Sequence, residues 1–158
     1  MPGVIVALFG LYAAHLLACR RDRRKSVEDL CAVIIEAAQK AVESAELGWL
    51  SEPGTERVTY ILTTKRRLQF VGMSATTLRM LSQKTARYKP IIERLKQRQL
   101  LARYEIDISK EVARLRRAAT GDPFEDPMRQ ASDTQIEKIR LALGHLMTQV
   151  DRLRLQAH

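Results

Sequence analysis

Cysteine is nearly absent from this 158-residue chain, and aromatic side chains make up only 5% of it. Cys19 and Cys31 cannot supply the paired framework of a disulfide-stapled domain. His15, His145 and His158 are too scattered to converge on a metal. Glycine and proline are confined to a few places, so no Gly-rich phosphate loop is present. No nucleophile elbow, paired-carboxylate site or histidine–carboxylate cluster has useful spacing either. These absences argue against an enzyme, and neither a cofactor nor a small-molecule substrate is expected. No segment beyond residue 25 holds a period-two alternation long enough to promise a sheet. Ala, Leu, Arg, Gln, Glu and Lys dominate instead, and the expected fold class is all-α.

Carboxylates are also the minority charge. Lysine and arginine number 27 against 18 acids, a net charge of +9. Such an excess calls for an anionic partner, either the negative lipid leaflet or nucleic acid. Part of it lies in a stretch holding Lys84, Arg87, Lys89, Arg94, Lys96, Arg98 and Arg103 against Glu93 alone. Its plainest alternative is a solvated helix face.

The other concentration follows an uncharged apolar run. Between Pro2 and Arg20 the only strongly polar side chain is His15, and Arg20, Arg21, Arg23, Arg24 and Lys25 come directly after Cys19. Hydrocarbon followed by a basic collar is the pattern of a single membrane span held by the positive-inside rule. Seventeen helical residues, Gly3 to Cys19, rise about 25 Å, near the lower limit for a span. A signal peptide places its cations before the apolar stretch, the reverse of this order. The expectation is therefore a span over residues 1–19 and an anionic-lipid collar over 20–25. The N-terminus would face out of a bacterial inner membrane and the remainder would be cytoplasmic. Gly3, Ala7, Gly10, Ala14 and Ala18 repeat at spacings of three or four and would pack spans together in a homo-oligomer. His15 is a candidate for facing their shared interior.

Ser26 can cap a helix whose apolar face runs through Val27, Leu30, Ile34, Ala38, Ala41 and Ala45. Gly48 and Ser51-Glu52-Pro53-Gly54 end it. Thr55 starts another helix, with Val58, Ile61, Leu62 and Leu68. Phe70-Val71-Gly72-Met73 reads as a turn, and Ser74 precedes a short helix containing Leu78 and Leu81, closing a hairpin region over 26–82. Pro90 suits the first turn of a helix running to about Ala119. After the breaker Gly121–Pro127, Ser132 or Asp133 caps the last helix. There Ile136, Ile139, Leu143, Leu146, Val150 and Leu153 form a coiled-coil-like seam for self-association or for pairing with the preceding helix. Residues 83–158 thus form a helical, coiled-coil-like region.

Val71-Gly72-Met73-Ser74-Ala75-Thr76-Thr77-Leu78 is similar to the turn and recognition-helix start of helix-turn-helix DNA binders. A longer order of features covers residues 3–82. It consists of the apolar run, Glu36-Ala37-Ala38-Gln39-Lys40-Ala41-Val42-Glu43, then Gly54-Thr55-Glu56-Arg57-Val58-Thr59-Tyr60-Ile61-Leu62, and the break at Val71–Ser74. This order resembles bacteriophage holins of the LLH class. The resemblance implies an oligomeric protein that permeabilises the host inner membrane during lysis. A membrane-anchored coiled-coil adaptor would need the same features without a hole, and a helix-turn-helix nucleic-acid binder is the further alternative.

Overall fold

A computed structural model describes residues 2–87, 108–126 and 132–156; within these, the side chains of 2–10, 13, 20, 23, 82–87, 122, 123 and 156 are not described. The described residues form α1 (Pro2–Leu50), α2 (Thr55–Arg87), α3 (Ile108–Ala119), a 3-10 turn (Asp122–Glu125) and α4 (Asp133–Gln156). The all-α class is as the composition implied. The helices run up, down, up and down around one core. Each packs on its two neighbours, while α1 and α3 meet only slightly across the diagonal.

Small side chains decide how closely α1 is approached. Ala38, Ala41 and Ala45 are fully buried, and Ile34, Val42 and Trp49 extend the same face. Spacings of three and four keep these residues on one stripe of the helix. Leu68, Val71, Ala75 and Leu78 of α2 meet them in the core with Ile108, Val112, Leu115 and Ala119 of α3. From α4 come Ile136, Ile139, Ala142, Leu146 and Val150, with Leu143 and Leu153 packed at the edge. The coiled-coil-like seam thus packs against α1 and α3 of the same chain.

One end of the bundle is closed by aromatics. Trp49 and Phe124 pack with ring centroids 5.5 Å apart and planes tilted by 41°. The Trp49 indole Nε1 donates to the carbonyl of Ala119 at 3.2 Å, tying α1 to the last residue of α3. Gly48 permits this approach, because a Cβ there would lie 3.3 Å from the Phe124 ring and from Tyr60 Cβ. Around the cap, Lys65 pairs with Glu125 at 2.5 Å and Gln135 Nε2 donates to Ala118 O at 2.6 Å. Ser132 caps α4, its hydroxyl accepting from the Gln135 amide at 3.3 Å. Glu46 holds Arg140 through both carboxylate oxygens, at 2.7 and 3.1 Å, joining α1 to α4.

Several expectations are corrected. Among the described residues no helix is long and apolar enough to cross a membrane. The apolar run is instead the start of α1, which continues through the collar and enters the core at Val27. The cations therefore sit in the middle of one helix, and its C-terminal half packs in a protein interior. This overturns the span at 1–19, the single-pass inner-membrane topology and the bilayer as partner. The LLH holin assignment and the host-lysis function fall with them, and the membrane-anchored adaptor loses its anchor. The homo-oligomer of spans loses its basis too.

Ser26 does not start a helix. Its hydroxyl donates to Asp22 O at 2.9 Å inside α1, the back-bonding by which serine is tolerated in a helix interior. The break at Val71–Ser74 is absent as well, since α2 is continuous from Thr55 to Arg87. Glycine there disfavours a helix by only about 1 kcal/mol, and Leu68, Val71, Ala75 and Leu78 bury their side chains in register across it. Without a turn, the helix-turn-helix reading has no structural basis. Pro90, Leu101 and Tyr104, with the part of the basic stretch from Lys89 to Arg103, lie outside the described residues.

Two predictions follow from this architecture. Phe124→Ala removes a fully buried ring and should lower stability by about 3–5 kcal/mol in urea unfolding, whereas the half-exposed Phe70→Ala should change it by less than about 1 kcal/mol. Gly72 has open space around its Cβ position. Gly72→Ala should therefore raise stability by about 0.5–1 kcal/mol. A loss of stability would mean that the chain turns at Gly72 after all.

Candidate functional site

The search for a site starts from side chains that the bundle does not use. Helix α2 carries two apolar faces. One is the buried stripe through Leu68, Val71, Ala75 and Leu78. The other consists of Val58, Leu62, Phe70, Met73 and Met80, which are 51–64% exposed. Leu62, Met73 and Met80 are separated by close to whole numbers of helical turns and so lie nearly on one line. Val58 and Phe70 flank that line, and the whole set points away from the core. From Val58 to Met80 the helix rises about 33 Å, or six turns.

Phe70 also borders a groove of about 340 Å³ between α1 and α2, lined by Val33, Glu36, Ala37, Lys40, Arg66, Arg67 and Phe70. The groove has an apolar floor and a charged rim. Lys40 Nζ lies 2.5 Å from Glu36 Oε1, and this hydrogen bond, with the lysine charge, holds the Glu36 carboxyl below its ordinary value. Arg67 Nη1 donates to Lys40 O at 2.5 Å and to the Ser44 hydroxyl, which itself donates to Lys40 O at 3.0 Å. These bonds fasten the two helices beneath the groove. Arg66 is exposed at its mouth.

The electrostatics of α2 are one-sided. It carries Arg57, Lys65, Arg66, Arg67, Arg79, Lys84 and Arg87 against Glu56 alone. Glu56 lies in the first turn, where it accepts from the Tyr60 hydroxyl at 3.3 Å. Its charge is the main cause of the raised Tyr60 pKa, with burial and that hydrogen bond adding to it. The outer surface of α2 thus carries Leu62, Met73 and Met80 interleaved with the exposed side chains of Arg66, Gln69 and Thr76, while Arg57 is buried and Lys65 is paired with Glu125.

The residues expected to carry function from sequence lie elsewhere. Ala14 and Ala18 are exposed on the N-terminal part of α1, while the side chains of Gly3, Ala7 and Gly10 are outside the described set. His15 is exposed, its Nε2 lying 3.7 Å from Cys19 Sγ one turn along. Arg21, Arg24 and Lys25 are exposed on the same helix. Leu11, Tyr12, Leu16 and Leu17 are exposed beside them, so this end of α1 presents apolar side chains without an enclosing pocket. The α2 stripe was missed because Met73 and Phe70 were assigned to a turn. Treating residues 55–87 as one helix separates the two faces by periodicity alone.

Nothing in the described residues gathers reactive groups. No group of three or more His, Cys, Asp or Glu residues among them is placed to hold a metal ion. Cys31 is fully buried, and desolvation pushes its thiol above its ordinary value. Arg154 opposes that shift, whereas Asp151 and Glu28 reinforce it. No family model, curated protein or solved structure matches the chain.

The raised Cys31 pKa has a definite sign in linkage. The folded chain holds the thiol proton more tightly than the unfolded chain. The associated stability is therefore present below the unfolded thiol pKa, about 8.5, and is lost as the pH rises through the folded value. Between pH 7 and 10 the wild type should lose more stability in urea unfolding than Cys31→Ala does. In the native protein at pH 8, a thiol reagent should modify the part-exposed Cys19 and leave Cys31 unreacted until denaturant is added.

Proposed function

We propose that the chain is a non-enzymatic helical docking module, whose bundle holds the outer face of α2 rigid for contact with another protein. The observation that carries this reading is the second apolar face of α2. Scattered exposed apolar side chains are ordinary on a protein surface, but five large ones on the outer half of one helix, interleaved with Arg66, Gln69 and Thr76, support an amphiphilic contact surface. The face is not needed for folding, since the other side of the same helix supplies the core. Its placement on a helix braced by the Arg67 bonds keeps it ordered before contact, which lowers the entropic cost of association. The lack of a convergent reactive cluster among the described residues fits binding better than turnover.

A benzophenone side chain in place of Met73 tests the reading in the cells that make the protein. Ultraviolet irradiation should give discrete protein adducts of defined mass. The same group in place of Arg152, exposed on α4, should give none. If the two positions give the same adduct pattern, or neither gives any, the docking assignment is wrong.

A further inference from the structure

Before α1 enters the core at Val27, it holds an imidazole and a thiol side by side. His15 Nε2 lies 3.7 Å from Cys19 Sγ, one turn along the same helix. Metal bonds of about 2.3 Å to sulfur and about 2.05 Å to nitrogen, set at the tetrahedral angle, separate the two donors by about 3.6 Å. The pair therefore already has the bite that a four-coordinate cation requires. Spacing i, i+4 is also what brings two helical ligands to one metal, because such residues stand one above the other on a single face. His15 is exposed and Cys19 part-exposed, so an ion can reach both from solvent. Among the described residues neither side chain makes another hydrogen bond or ion pair.

The helix also sorts the neighbouring charge. At about 100° per residue, Asp22 stands within about 60° of both donors, whereas Arg21 and Arg24 stand at least about 120° away from either. All three are exposed. A carboxylate thus follows on the side of the pair, and these two arginines face elsewhere. A thiolate with an imidazole suits zinc-like ions, whereas magnesium and calcium take oxygen ligands. We propose that His15 and Cys19 form a two-donor site for Zn2+ or a similar borderline divalent cation, with water in its remaining positions. Binding forms one S–metal and one N–metal bond, breaks the S–H bond and releases that proton to solvent. With two protein ligands the site exchanges its ion, unlike the closed four-ligand sites that hold a fold together. It stands on α1, apart from the outer face of α2, and is independent of the docking reading.

The test titrates the full, reduced chain with Co2+ near neutral pH, as a coloured stand-in for Zn2+. A thiolate-to-cobalt charge-transfer band should rise and saturate at one metal per chain, with one proton released, and added Zn2+ should remove it. Losing even an outer-shell partner costs about tenfold in metal affinity, so His15→Ala should weaken Co2+ binding by at least that factor. Cys19→Ser should abolish the band. Cys31→Ala and His145→Ala should retain it, since Cys31 is buried in the core and His145 stands on α4. Neither His15 nor Cys19 belongs to the core, so thermal unfolding of their variants should stay close to that of the wild type. Zn2+ should also slow alkylation of Cys19 in the wild type but not in His15→Ala.

The inference is overturned if no charge-transfer band forms, if His15→Ala binds Co2+ as tightly as the wild type, or if Cys31→Ala or His145→Ala loses the band. Saturation at half a metal per chain also overturns it, because two chains would then share the ion.

Discussion

Trp49 makes the contact on which the arrangement of the bundle depends. Its ring lies against Phe124, and its indole nitrogen donates to the carbonyl of Ala119. In one residue the end of α1, the end of α3 and the following turn are fixed together. Aromatic pairs of this kind contribute both large buried area and a preferred geometry. The hydrogen bond also satisfies a carbonyl at the helix C-terminus, which would otherwise lack an intrahelical partner. Gly48 beside it is the local condition for the contact, because any side chain there would crowd the Phe124 ring. From this cap the helices extend side by side, each antiparallel to its neighbours, and the small face of α1 lets them approach closely.

That separation has a consequence for the outer surface. With Ala38, Ala41 and Ala45 facing inward, α2 lies close to α1, and Arg67 reaches the Lys40 carbonyl and the Ser44 hydroxyl. The same closeness leaves a shallow trough above the joint instead of an open cleft. Val33 and Phe70 line it while remaining partly exposed. The core and the proposed docking surface are therefore two sides of one helix pair. On that proposal, substitutions at the outer face should act on contact, whereas substitutions at the alanine face should act on folding.

Some of this was legible in the residues and some was not. The apolar faces of α1 from Val27 to Ala45 and of α4 from Ile136 to Val150 followed directly from spacing. The punctuation at Ser51–Gly54 and at Gly121–Pro127 also marked real helix ends, because proline and glycine act through local sterics. The collar at Arg20–Lys25 misled, since arginine and lysine are good helix formers and charge alone does not end a helix. Gly72 misled in the opposite direction. Its local cost is small beside the burial of Val71, Ala75 and Leu78, so tertiary packing carries the helix through it. Trp49 and Phe124 stood in segments that looked like connections, and nothing in their spacing announced that they would meet.

Local periodicity by itself determined that this protein is helical and which residues share a face in α1 and α4. It did so because side-chain direction along a helix repeats every 3.6 residues whatever surrounds it. Only the tertiary structure decided which of the two apolar faces of α2 is covered, that the seam of α4 packs against α1 and α3, and that the initial apolar run continues into the core helix. Those outcomes depend on which surfaces meet in space, and a repeat along one helix contains no information about its neighbour.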